Sequence, residues 1–192
     1  MASSGTSSLL LFLKKFGTLS NEETTDIEKY IITAELPKKT ILLKAGKTCD
    51  HLYFIEKGLA RCYSEENDKV FTNDIVIDGE LLTSFSSFVS RQPSNENIEL
   101  LEDSILQSIH YDDLQMLYKK YTALERIGRL IAEHHYNSLA SQTHRLRFHT
   151  SAQRYDYLFT HKIEIVKRAP LGVIASYLGM TIENLSRIRG KG

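Results

Sequence analysis

The chain has 192 residues, with 24 Lys+Arg against 24 Asp+Glu and a 42% hydrophobic share, which excludes the disordered and collagen-like classes. Its longest apolar run, Leu9 to Leu13, is far short of the roughly 20 residues that cross a bilayer, and the Ser, Gly and Thr before it do not read as a secretory signal. Two cysteines, Cys49 and Cys62, exclude a disulfide framework and an iron–sulfur cluster, so a cytoplasmic chain without a membrane partner is expected.

Residues 8–34 are expected to be helical. Leu9, Leu10, Leu13 and Phe16 recur at helical spacing, Gly17 closes that piece, and Ser20 with Glu23 forms a capping box for a second helix. Pro37 marks a change of regime. From Thr40 to Ile109 come short β-rich runs, Ile41–Lys44, His51–Ile55, Leu59–Tyr63, Val70–Ile77 and Ile105–Ile109, separated by turn signals at Ala45-Gly46, Glu56-Lys57-Gly58 and Glu65–Asp68. Strands at this spacing without intervening helices predict an antiparallel roll or barrel.

Near Tyr111 the period changes again. Leu114, Leu117, Tyr121, Leu124, Ile127, Ile131 and Leu139 step at helical intervals, and an unbroken helix from Leu124 to Phe148 would be nearly 40 Å long. Its stripe is a candidate dimer seam formed by Leu124, Ile127, Gly128 and Ile131, with Gly128 allowing close approach; the alternative is that it covers the roll. A further helix fits Ser151–His161, with Tyr155, Leu158 and Phe159 on one side, and Pro170 restarts the chain.

Charge is unevenly divided. Residues 1–125 carry 13 Lys+Arg against 20 Asp+Glu, a net of −7, and residues 126–192 carry 11 against 4, a net of +7. A concentrated positive field favours phosphate backbones.

The most informative stretch is Leu171–Arg189. Two short helices, about 171–178 and 181–189, would meet at Gly179-Met180, as in a helix-turn-helix. Ala175 is small where the helices cross, Gly179 can take the left-handed conformation, and Thr181 can cap the second helix. Ile174, Leu178, Met180, Leu185 and Ile188 would form the buried faces. Ile182, Glu183, Asn184, Ser186, Arg187 and Arg189 are left for solvent. Glu can accept from cytosine N4, Arg can grip guanine N7 and O6, and Asn suits adenine. The candidate DNA-binding residues are therefore Thr181, Glu183, Asn184, Ser186, Arg187 and Arg189.

This order of elements resembles the Crp/Fnr family of bacterial transcription regulators. The resemblance runs over essentially the full length. It is most specific at Ile174–Ile188 and at Leu52–Tyr63, where Gly58 stands at the family's turn glycine. It implies an α+β fold: an N-terminal antiparallel β-roll of the jelly-roll type with flanking helices, a long dimerisation helix, and a C-terminal winged-helix-like helix-turn-helix domain. The expected boundaries are 1–115, 116–148 and 149–192. The implied partners are double-stranded DNA, a second copy of the chain, and RNA polymerase.

Two departures bear on function. The family's recognition helix often carries Arg-Glu-x-x-x-Arg; Glu183 and Arg187 match, but Ile182 replaces the first Arg, so an apolar contact such as one to a thymine methyl takes its place. Cyclic-nucleotide binders combine Gly-Glu-Leu with a downstream Arg-Ser or Arg-Thr. Here Gly79-Glu80-Leu81 is present, but Asn95 and Glu96 stand where Arg and Ser belong, and Arg91 lies a few residues early. A phosphodiester buried without a cation is heavily penalised, so no tight cyclic-AMP binding is expected. Gly79, Glu80, Leu81 and Ser84 mark the candidate effector pocket, for an unknown small-molecule effector or none.

Other chemistry is not supported. Ala45–Thr48 echoes a phosphate loop without its upstream Gly. His134/His135 and His144/His149 lack helical metal spacing, and His51 is a weak haem ligand candidate. Cys62 is expected in the core, and Glu102-Asp103 at a turn. No cofactor, metal or enzymatic activity is predicted. The alternative function is a small-molecule-sensing roll that acts through a protein partner, with a degenerate helix-turn-helix.

Overall fold

The computed structural model describes residues 7–190. Helices α1 (Ser8–Leu13) and α2 (Asn21–Glu28) open the chain. The capping box forms as predicted: the Glu23 amide donates to Ser20 Oγ at 3.1 Å, and the Ser20 amide donates to Glu23 Oε2 at 2.7 Å. The helical stretch does not reach residue 34. Ile32–Leu36 is strand β1, running antiparallel to β8 (Ser104–His110) with Ile32 opposite Ser108. Ladder pairing with a strand over seventy residues away overrides the local period.

The other strands are β2 (Ile41–Leu43), β3 (His51–Lys57), β4 (Leu59–Glu66), β5 (Lys69–Ile77), β6 (Leu81–Leu82) and β7 (Asn97–Leu100), with α3 (Phe85–Ser90) inserted before β7. They form two four-stranded antiparallel sheets, ordered β1-β8-β3-β6 and β2-β7-β4-β5. This is the expected roll within an α+β fold. A core cluster including Phe54, Ile55, Ala60, Cys62, Val76, Ile98 and Leu106 fills it. Cys62 is buried, and desolvation pushes its thiol well above the ordinary range.

Gly58, between β3 and β4, has φ +136°, and a Cβ there would collide with Ser104. Only glycine fits.

Helix α4 (Tyr111–Lys120) leads into α5 (Thr122–Phe148), 27 residues and about 40 Å long. The expected dimer seam is corrected here. Leu124 and Ile127 are each only 1% exposed and sit in the chain's own core, with Ile131 packed against it. Close approach at Gly128 serves Tyr118 of α4, whose ring occupies the space of the missing Cβ. The first half of α5 thus covers the roll. Its second half still touches the roll, Gln142 Nε2 donating to the Asn73 carbonyl at 3.0 Å, but leaves Tyr136, Leu139, Leu146 and Phe148 exposed.

Four helices follow: α6 (Ser151–His161), α7 (Ile163–Arg168), α8 (Leu171–Tyr177) and α9 (Ile182–Arg189). On α6, Tyr155 and Leu158 are buried while Phe159 is exposed. Among the described residues no strand follows the roll, so this unit is wholly helical there and shows no wing. It has no independent core. Leu59, Ile75 and Leu101 of the roll share one cluster with Leu158, Ile165, Ile174, Ala175 and Leu185.

Candidate nucleic-acid interface and effector cavity

The corner between α8 and α9 is built as its residues require. Gly179 takes φ +61°, the Met180 amide donates to the Ala175 carbonyl at 3.0 Å, and Ala175 is buried beneath the crossing. Thr181 Oγ1 accepts from the Asn184 amide at 3.3 Å, capping α9. Leu185 is fully buried and anchors the helix, with Met180 and Ile188 partly buried against the same cluster.

The outer face carries the predicted set. Thr181, Ile182, Glu183, Ser186, Arg187 and Arg189 are exposed, while Asn184 is half-buried. Among the described residues neither Arg187 nor Arg189 forms an ion pair, so both guanidinium groups remain free. The Glu183 carboxyl is held below its usual range by its own amide and the Thr181 hydroxyl, with the charge of Arg187 adding to this. It is therefore an acceptor at neutral pH. Two free guanidiniums, an ionised carboxylate and an exposed Ile182 on one capped helix can meet base edges and phosphates.

Not every basic side chain nearby is free. Arg154 reaches the His149 carbonyl at 2.9 Å and the Gly179 carbonyl at 3.3 Å, pinning the corner. Arg145 stacks its guanidinium 4.0 Å from the Tyr157 ring centroid. Two cations face the roll instead: Lys162 Nζ lies 3.3 Å from Glu80 Oε1, and Arg168 grips Asp78, Glu102 Oε2 (2.6 Å) and the Gly58 carbonyl (2.8 Å). These docking pairs were not predicted. Part of the −7/+7 charge division thus binds the two ends of the chain to each other.

A cavity of about 610 Å³ lies between the roll and α5, within the usual range for small-molecule sites. Of the four predicted pocket residues, Glu80 and Leu81 line it and two do not. Gly79 forms the preceding turn with φ +80°. Ser84 is 1% exposed and bonded to Ser94 Oγ at 2.9 Å, sealed beneath α3. Arg91 is not available for a phosphate. It donates to the Cys49 carbonyl at 2.6 Å, pairs with Asp50, and stacks 4.0 Å from the Tyr111 ring centroid. Glu96, where the family expects a hydroxyl, accepts from Asn73 Nδ2 at 2.9 Å. The cavity's own cations are already paired, Lys162 with Glu80 and Arg129 with Glu133.

The sequence predictions missed Asp74, which lines this cavity and also a small adjoining space of about 90 Å³ beside Arg145, Tyr157 and Tyr177. Burial pushes its carboxyl up to about 6, the opposing influence of Lys162 being outweighed. An Asp directly before the apolar run Ile75-Val76-Ile77 is the available signal.

Fold and cavity together define a β-roll with an adjoining cavity, docked to a helical unit that carries a helix-turn-helix corner. Residues 33–121 match the cyclic nucleotide-binding domain family. The chain is 29% identical over 187 residues to the anaerobic regulatory protein of Pasteurella multocida, covering 89% of this chain and 67% of that one. It shares its fold with FixK2 of Bradyrhizobium japonicum (TM-score 0.71, 16% identity, 84% of this chain and 83% of that). A Crp/Fnr-family chain from Eubacterium rectale is similar in the same degree (TM-score 0.70, 16% identity, 88% and 82%). The chain is thus similar, in fold, to regulators of the Crp/Fnr family. No described helix is long and apolar enough to cross a membrane.

Proposed function

We propose that this chain is a sequence-specific transcription regulator that binds double-stranded DNA as a homodimer, and that its effector is not cyclic AMP. The observation that carries this is the free outer face of α9, where Glu183, Arg187 and Arg189 stand exposed on a helix anchored by Leu185. Thr181, Asn184 and Ser186 complete the set of DNA-facing residues. Glu183 and Arg187 read base edges, while Arg189 and Ser186 anchor to phosphate. The relatives support a regulator by their names and fold.

Pairing of two copies uses the second half of α5. Tyr136, Leu139, Thr143 and Leu146 recur at intervals of three and four, the spacing of a coiled-coil seam, and all four are exposed, although Leu139 and Leu146 also border the small space beside Asp74. Two recognition helices would then enter successive major grooves about 34–36 Å apart. The exclusion of cyclic AMP rests on Arg91, which is fully engaged by Cys49, Asp50 and Tyr111.

A gel shift on the DNA upstream of the protein's own gene, run at two salt concentrations, tests the proposal. Wild-type protein should select one site, and E183Q/R187A should lose that selection while keeping salt-dependent nonspecific binding. Unchanged selectivity in the double variant refutes it. Absence of any DNA binding would instead favour a roll acting through a protein partner.

A further inference from the structure

The walls of the 610 Å³ cavity combine two chemistries. Most are apolar or aromatic, among them Phe12, Phe16, Leu52, Phe85, Val89 and Ile131. Asp74, Glu80 and Lys162 are set among them, and His135 packs its ring 5.3 Å from that of Phe85. Lys162 is committed to Glu80 at 3.3 Å. One oxygen of Asp74 accepts from the Ile75 amide at 2.9 Å; among the described residues the other receives no side-chain or amide donor, and Asp74 has no ion-pair partner.

The pairing of these groups is decisive. Within the cavity Asp74 and Glu80 share one cation, Lys162, which pairs with Glu80; Arg145, across the adjoining space, is stacked on Tyr157 and makes no ion pair with Asp74. Burial lowers the proton affinity of His135, which therefore supplies no positive charge at neutral pH. Arg129, the remaining cation on the walls, is neutralised by Glu133. An anionic ligand would place its charge against an unpaired carboxylate in a poorly solvated site, where repulsion is weakly screened. A ligand bringing a positive charge supplies what Asp74 lacks, and a charge-assisted hydrogen bond in such a place is among the stronger polar contacts.

We infer that this cavity is the binding site of an amine-headed apolar molecule, its ammonium group paired with Asp74 and its aliphatic or aromatic body lying among Phe12, Phe16, Phe85 and Val89. The inference deepens the proposed reading of the roll as a sensor and rests on it. It also gives the sensor a physical route to the DNA-facing unit. Asp74 lies on β5, and the same strand holds α8 through the Thr72 amide, which donates to Ser176 Oγ at 2.8 Å. Tyr177, next to Ser176, lines the adjoining space with Asp74.

The test is titration calorimetry at pH 7.5 with three probes of matched body and different head: 4-phenylbutylamine, 4-phenylbutanol and 4-phenylbutyrate. The amine should bind at least about tenfold more tightly than the alcohol, a difference of about 1.4 kcal/mol, and the carboxylate more weakly than both. D74N, whose side-chain oxygen can still accept from the Ile75 amide, should bring amine and alcohol to within about twofold. A132F, which fills the α5 wall, should weaken amine and alcohol together. Carboxylate binding equal to amine binding, an amine preference that survives D74N, or no amine binding up to millimolar concentration overturns the inference. Fluorescence anisotropy with labelled DNA on the same preparations separates the two proposals: intact site selection with no amine binding sinks only the ligand assignment, and lost selection sinks the regulator.

Discussion

Replacing Arg168 with Met should uncouple the helical unit from the roll. The guanidinium sits at the centre of a three-way junction, paired with Asp78 and Glu102 and donating to the Gly58 carbonyl, with only 21% of its side chain exposed. Met keeps much of the aliphatic volume and removes every donor. Asp78 is then left with only backbone donors such as the Gly58 amide at 2.6 Å. Breaking a buried pair by removing one member costs about 3–5 kcal/mol and an exposed one at most about 1 kcal/mol; with Asp78 and Glu102 39% and 33% exposed, the loss falls between, about 2 kcal/mol. For a chain of this size each kcal/mol moves the melting temperature by about 2–4 °C, so R168M should melt about 4–8 °C below wild type. The neighbouring K167M breaks only an exposed pair with Glu164 and should shift stability by less than about 0.5 kcal/mol. Differential scanning fluorimetry and urea denaturation of both variants read this directly. An R168M protein that melts with K167M would show that the apolar cluster alone docks the two parts.

Two further outcomes follow from the geometry. Replacing Tyr136 and Leu139 with Glu should convert a dimer to a monomer in analytical ultracentrifugation without lowering the melting temperature measured at concentrations where wild type is already monomeric, because neither side chain belongs to the buried core. A variant that remains dimeric would move the seam elsewhere. Stability should also fall as pH rises from 5 to 7.5. The folded state holds the Asp74 proton up to about 6, against an ordinary value of 3.8, so between these limits it binds more protons than the unfolded chain. The change attributable to Asp74 is about 1.4 kcal/mol. It should vanish in D74N when urea midpoints are compared at the two pH values. Asp78, held low by Arg168 and the Gly58 amide against the effect of its burial, contributes with the opposite sign but only below its ordinary range.

What the sequence revealed followed the range of the interactions involved. The α8–α9 corner was legible because its determinants are local: Gly179 for a positive φ, Thr181 for a cap three residues from Asn184, and Leu185 for the buried face. The roll was legible as a class from its short strands, although β1, β6 and β7 escaped notice because each is defined by a distant partner. The stripe Leu124-Ile127-Ile131 was visible, but periodicity says only that a face is covered, not by what. The deciding fact was the ring of Tyr118 over Gly128, a contact between two helices. Arg168 was invisible for the same reason, since Asp78 and Glu102 lie 90 and 66 residues before it. The charge division is visible in the sequence, where it fits nucleic acid or a merely solvated face, but the pairing of Arg168 and Lys162 with the roll is not.

That division of charge bears on how such a chain could be regulated. The helical unit is attached to the roll by a shared apolar cluster and by a few directional contacts, those of Arg168, Lys162 and Ser176. An apolar interface tolerates small sliding at little cost, while directional contacts fix orientation and are lost over a fraction of an ångström. Three of the roll groups engaged, Thr72, Asp78 and Glu80, lie on β5 or in the turn after it, and Asp74 of the cavity is on the same strand. A ligand seated against Asp74 therefore needs only to shift β5 slightly to bias where α9 points. The apolar cluster would keep the unit docked throughout. Regulation by reorientation, not by release of a tethered domain, is what this arrangement of forces favours.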